Sequence, residues 1–323
     1  MENLIFEKII GKDENSLKLV YFKIEALQKY FTNPKYRVFF SDYRGKIIIK
    51  EEYLKEDNDF EEVRDFGIAY KKANNERGAV VLFAGDIVGM NEQTRAHWFS
   101  YCINDQTLYY PNQDFIRNLI YGEWAQNISI YSALLMEIQY INECCKAMSL
   151  PNLFRKEFNH QSLDSSSKPS NYHLLILPTE YEYENFVLTL AKMITDNINT
   201  EVFVKCTYPF IPVKGTTKDK NGNTCRKGSK TLLKEWLKEN NSCKVSEEDI
   251  IKPLQSLIKK RQIPGHSIIK DNIDNKYWKR QDDLIASVYK AVRFLRLLFK
   301  NHPLTASVEI NPIISKGENI VIY

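Results

Sequence analysis

The stretch YWKRQDDLIASVYKAVRFLRLLFKNH, residues 277–302, decides the fold. Gln281, Leu284, Val288, Ala291, Val292, Leu295 and Phe299 recur at three- and four-residue intervals, while Lys279, Arg280, Lys290, Arg293 and Lys300 fall on other faces. That period predicts a long amphipathic helix, and a helix of this length with an apolar stripe closes a helical bundle. Immediately upstream lies RQIPGH, residues 261–266, where Pro264 and Gly265 carry helix-stopping signals between a permanent cation and a titratable imidazole.

Working back from there, Leu254, Leu257 and Ile258 extend one stripe to Arg261, which predicts a helix end with Arg261 on its inward side. Pro253 is expected to interrupt the segment begun at Ser246-Glu247-Glu248-Asp249, because it has no amide donor and crowds the preceding turn. Leu232, Leu233, Trp236 and Leu237 predict another helix, and Thr179-Glu180-Tyr181-Glu182 reads as a capping box opening a helix buried through Phe186, Leu190, Met193 and Ile194. Ile130, Leu134, Ile138, Ile141, Cys145 and Met148 form a further stripe. Between these helices, 208–230 reads as one long loop, basic through Lys214, Lys218, Lys220, Arg226, Lys227 and Lys230.

The texture differs before about residue 121. Two β-rich pairs, Tyr36–Phe40 with Lys46–Lys50 and Phe66–Tyr70 with Gly78–Ala84, predict a small, mostly antiparallel sheet, with the run Ala79–Phe83 at its centre. Asn91–Cys102 reads as a helix across it, and Gly85–Gly89 as a glycine loop without the pattern of a phosphate cradle. After the last helix, Ser307–Ile310 and Asn319–Tyr323 read as extended segments that add an edge strand. The fold class expected is therefore α+β, a sheet domain over residues 1–121 followed by a helical bundle over 122–323.

Bulk composition sets outer bounds. A chain of 323 residues with 43% hydrophobic and 12% aromatic content folds into packed cores, and a net charge of +4 neither demands nor forbids a nucleic-acid partner. Six cysteines without a Cys-x-x-Cys pair give no zinc or disulfide framework, so neither metal nor other cofactor is expected. Without a signal-peptide pattern or a long apolar run, a cytoplasmic chain with no membrane partner is expected.

Arg261 and His266, with four residues between them, resemble the motif of the HEPN superfamily (higher eukaryotes and prokaryotes nucleotide-binding), helical domains whose ribonuclease members carry an Arg, four to six residues, and a His. The resemblance covers at most residues 129–302, and it departs from the family in having Pro264-Gly265 inside the motif and an N-terminal region without a counterpart. It implies a homodimeric, metal-independent endoribonuclease, a toxin or antiviral defence effector, with Arg261 and His266 catalytic. Gln262, Lys218, Lys220, Arg226, Lys227, Arg296 and His302 are the candidate substrate-binding residues. Arg155 with His160, and Arg296 with His302, repeat the spacing. RNA and a protein are the expected partners. The alternatives are a non-catalytic adaptor or inhibitor and a nucleotide sensor.

Overall fold

The computed structural model describes residues 17–54, 62–158, 169, 171–240, 247–262 and 272–323. Its N-terminal part is an antiparallel sheet of β1 (Leu19–Phe22), β2 (Tyr36–Ser41), β3 (Arg44–Ile49), β4 (Val63–Lys71), β5 (Arg77–Phe83) and β6 (Tyr109–Pro111). The order is β1-β5-β4-β3-β2, with β6 pairing the far end of β4. The β2–β3 register pairs Ser41 with Arg44, so Asp42 and Tyr43 alone make the turn, and Asp42 takes the positive φ of 54° that such a tight turn needs.

Strand β5 shows why its sequence is apolar throughout. Val80 and Leu82 enter the main core, while Ala79, Val81 and Phe83 enter a second cluster on the opposite face. Helix α1 (Glu92–Ser100) sends Trp98 into the first face, and helix α2 (Gln113–Tyr121) covers the second with Phe115. Gly122, at φ 68°, ends α2 in the left-handed conformation that a Cβ disfavours. The segment around Gly85 is a short helix, Ala84–Val88, and not the expected loop, because Ala84 and Ile87 are buried and draw the chain into a turn.

The longer helices of the C-terminal part are α3 (Ile130–Ala147), α4 (Glu180–Ile194), α5 (Ser229–Asn240), α6 (Glu247–Gln262) and α7 (Lys276–Lys300). Helix α7 packs on α3 and α6, and α6 packs on α4. Leu284, Ile285, Val288, Val292, Leu295 and Phe299 of α7 are buried, each such side chain contributing about 1.5–3 kcal/mol of transfer energy. Polar positions on the same helix satisfy an irregular neighbour. Gln281 accepts from the Leu175 amide and donates to the His173 carbonyl, and the Trp278 indole donates to the Leu175 carbonyl at 2.7 Å. The buried run 172–177 therefore has backbone partners without joining a sheet.

Helix α6 runs through Pro253, against expectation. One amide is missing, but Ile250, Ile251, Leu254 and Leu257 are buried on both sides of the proline, and that packing outweighs a single lost bond. Ser307–Ile310 does not form a strand. Instead Ile320–Val321 (strand β10) pairs in parallel with Ile128–Ser129 (strand β7). The sheet and the helices share one apolar core, and Arg77 of β5 binds both Asp282 of α7 and the Tyr323 carbonyl. No helix among the described residues is long and apolar enough to cross a membrane.

Candidate nucleic-acid interface

The segment 208–230 is not one loop. It contains an antiparallel hairpin of β8 (Thr216–Lys218) and β9 (Thr224–Arg226). The Asp219 carboxylate accepts from the Asn221 and Asn223 amides across the turn, and these bonds, chiefly that from Asn223, hold its pKa below the ordinary value. That local order leaves Lys218, Lys220 and Arg226 exposed to solvent, whereas Lys227 is half-buried and paired with Glu235 at 2.6 Å. Lys227 is thus engaged by the protein itself and is the least available of the predicted contacts.

Arg261 occupies the last turn of α6 beside Lys259 and Lys260, where the helix dipole favours cations. Its Nη1 donates to Oδ2 of Asp196 at 2.5 Å, and its side chain keeps 30% of its exposure. Asp196 follows the C-cap of α4, and its backbone carbonyl accepts from Nη1 of Arg155 at 3.2 Å. Two arginines from two separate Arg/His pairs in the sequence therefore meet at one residue. His266 and His160 lie outside the described residues, and Gln262 is exposed as the last residue of α6.

Arg155 is held by a rigid backbone. Phe154 exchanges two hydrogen bonds with the fully buried Asn142 of α3, and Lys156 exchanges two with the side chain of Asn197. The Arg155 amide also donates to the Asn197 carbonyl. This clamp fixes Arg155 and Lys156 on the wall of a cleft of about 470 Å3. Lys192, Asp196 and Asn197 complete its polar wall, and Phe158, Pro169, Thr189 and Met193 its remaining lining.

Cleft and hairpin are electrostatic neighbours. The Glu201 carboxyl is held below its ordinary pKa first by its hydrogen bond with Lys205 and then by the fields of Arg226 and Arg155. The hairpin exposes Lys218, Lys220 and Arg226 and the cleft exposes Arg155, Lys156 and Lys192, and exposed cations of this kind attract a phosphate backbone.

Two expected contacts lie elsewhere. Arg296 is 1% exposed, and its guanidinium binds both carboxylate oxygens of Glu137, at 2.8 and 3.2 Å, and the Ile314 carbonyl. His302 is buried, accepts from the Leu304 amide through Nδ1, and lies with its ring 5.1 Å from that of Phe210. Both sit on the apolar side of α7 or just past its end, so the packing that makes the bundle removes them from any ligand. The sequence reading missed Thr189, Lys192 and Asp196, while Met193 is buried as its stripe predicted. The signal was available: intervals of three and four residues place these three on one face of α4 and its C-terminal extension.

A second cleft of about 470 Å3 lies where the β2–β3 turn approaches α3, lined by Asp42, Asn127, Ser132, Gln139, Tyr140 and Asn311 among others. Among the described residues no group of three His, Cys, Asp or Glu side chains is placed to hold a metal ion. Comparison with known proteins adds no relative: no family model, no curated protein and no solved structure matches the chain.

Proposed function

We propose that the protein binds RNA across the basic surface of the hairpin and the cleft and cleaves it by HEPN-type chemistry at the C-terminal end of α6. The observation that carries this reading is the convergence of Arg155 and Arg261 on Asp196, which lines a cleft together with Arg155, Lys156 and Lys192. Fixed cations at one place are what a phosphodiester needs when negative charge builds up on it. The packing of α7 on α3 and α6, and of α6 on α4, supports the reading, since the resemblance implies a helical domain.

In this reaction the substrate's own 2′-oxygen attacks the adjacent phosphorus while His266 takes its proton. Arg261 stabilises the pentavalent oxyanion, the bond from phosphorus to the 5′-oxygen breaks, and His266 returns the proton to that oxygen. The products are a 2′,3′-cyclic phosphate and a free 5′-hydroxyl, so neither water nor metal enters the balance. An imidazole that titrates near neutrality is suited to both transfers. Two copies in a homodimer would present two such sites, and a toxin or antiviral effector is the context that this activity fits.

The test is incubation of the purified chain with total RNA in the presence of a chelator. Cleavage by the native protein, lost in His266→Ala and in Arg261→Ala, is the expected outcome. Intact RNA, or cleavage unchanged in His266→Ala, removes the proposal. A protein-binding adaptor is the reading favoured by the exposed aromatics Tyr121 and Trp124, at 69% and 81% exposure, and it predicts a stable co-purifying partner without nuclease activity.

A further inference from the structure

The cleft beside Asp196 is more than a cluster of charges. Arg155 and Lys156 on the clamped segment and Lys192 on α4 line it together with the carboxylate of Asp196, while Phe158 and Pro169 supply apolar surface and Met193 is almost wholly buried. A bare phosphate would use the cations and has no use for the apolar lining. A flat heteroaromatic ring joined to a phosphate uses both, and about 470 Å3 falls within the roughly 300–1,000 Å3 of clefts that enclose small ligands.

The geometry points to a seat for one unpaired nucleotide, its base against Phe158 and Pro169 and its phosphate on Arg155, Lys156 and Lys192. The inference rests on the RNA reading above and narrows it to single strands. A base inside a duplex is stacked and paired and cannot enter a cleft, whereas a splayed base can lie on an aromatic ring. Asn197 does not read the base edge, because both ends of its amide are occupied by the backbone of Lys156. Thr189 adds one hydroxyl on the α4 side. The cleft therefore discriminates paired from unpaired nucleotides far more than one base from another.

The hairpin leaves Lys218, Lys220 and Arg226 exposed to meet phosphates next to the seated nucleotide. Flanking phosphates bound by exposed cations add affinity without sequence preference.

The experiment titrates the full chain by calorimetry with uridine 5′-monophosphate and, separately, with ribose 5-phosphate, which has the same phosphate and no base. The nucleotide is expected to bind at least about tenfold more tightly. Thr189→Phe fills the cleft and leaves its cations in place. It is expected to weaken the nucleotide by at least about tenfold and to leave ribose 5-phosphate unchanged. Phe158→Ala, which removes the aromatic surface at a half-buried position, is a second variant with the same expected selectivity. Equal affinity for the two ligands, or nucleotide affinity unchanged in both variants, overturns the inference. RNA cleavage measured in parallel separates the two readings. Nucleotide binding without cleavage supports the seat and overturns the reaction, while equal cleavage of single strands and duplexes, unaffected by Thr189→Phe, overturns the seat and leaves the reaction standing.

Discussion

Arg261 and Asp196 are 65 positions apart and joined by an ion pair of 2.5 Å that ties the guanidinium to a carboxylate lining the cleft while cancelling part of its charge. The pair is partly exposed, so its effect on stability is small, and its main consequence is for binding. Asp196→Ala is expected to raise RNA affinity by about threefold, because a carboxylate is removed from a phosphate-binding surface. Cleavage by the same variant is expected to fall, because Arg261 is no longer held in place. Arg261→Ala is expected to lower both, affinity by about tenfold. Fluorescence anisotropy with labelled RNA and a gel-based cleavage assay separate the two quantities, and parallel changes in Asp196→Ala would remove the positioning role.

The hairpin cations are expected to act through charge alone. Replacing Lys218, Lys220 and Arg226 together by Ala should flatten the slope of log K against log salt by about 2, the value for three lost contacts to a single strand. Melting temperature is expected to change little, since all three side chains are exposed. An unchanged salt slope would take the hairpin out of the interface.

Glu137 and Arg296 make the opposite kind of pair, both buried and matched oxygen to nitrogen. Burial holds the Glu137 carboxyl above its ordinary pKa even with the Arg296 guanidinium drawing it down. Removing one partner leaves a buried charge uncompensated, so Arg296→Ala is expected to cost about 3–5 kcal/mol by denaturant unfolding. The double variant Glu137→Leu/Arg296→Met is expected to recover most of that loss. A loss below about 1 kcal/mol in the single variant would contradict the burial of the pair.

His97 carries a pH signature. Its Nε2 bonds to the Ala26 carbonyl at 2.8 Å, and its ring meets those of Tyr30 and Tyr101 edge-on. Burial lowers its pKa from 6.5, and the Lys29 field adds to the shift. A depressed histidine favours the neutral form in the folded state, so its contribution is complete above 6.5 and is lost as pH falls through the lower folded value. The melting temperature of the native chain is expected to fall between about pH 8 and about pH 5.5 by more than that of His97→Gln. Equal falls would show that His97 is not the group responsible.

Thiol reactivity should follow burial. Cys144 and Cys145 are buried, and desolvation pushes their thiols up to about 11 and about 12, while Cys225 is exposed on strand β9. Among the described cysteines, Cys225 is expected to react first with a maleimide in the folded chain, and Cys144 and Cys145 only after denaturation. Peptide mass spectrometry after timed labelling provides the readout.

Local rules sufficed wherever the chain interacts with itself over a few residues. The stripe of 277–299, the cap at Thr179 and the continuous apolar run of β5 each announced their elements, because helix period, capping and two-sided burial are properties of neighbouring side chains. Tertiary packing decided the rest. It carried α6 through Pro253, turned Arg296 and His302 inward, and brought Arg155 and Arg261 to Asp196 from positions 41 and 65 residues away. An Arg/His spacing is the same whether the guanidinium meets a buried carboxylate or a solvent cleft. The distinction depends on which helix packs over it, and that partner lies far away in sequence.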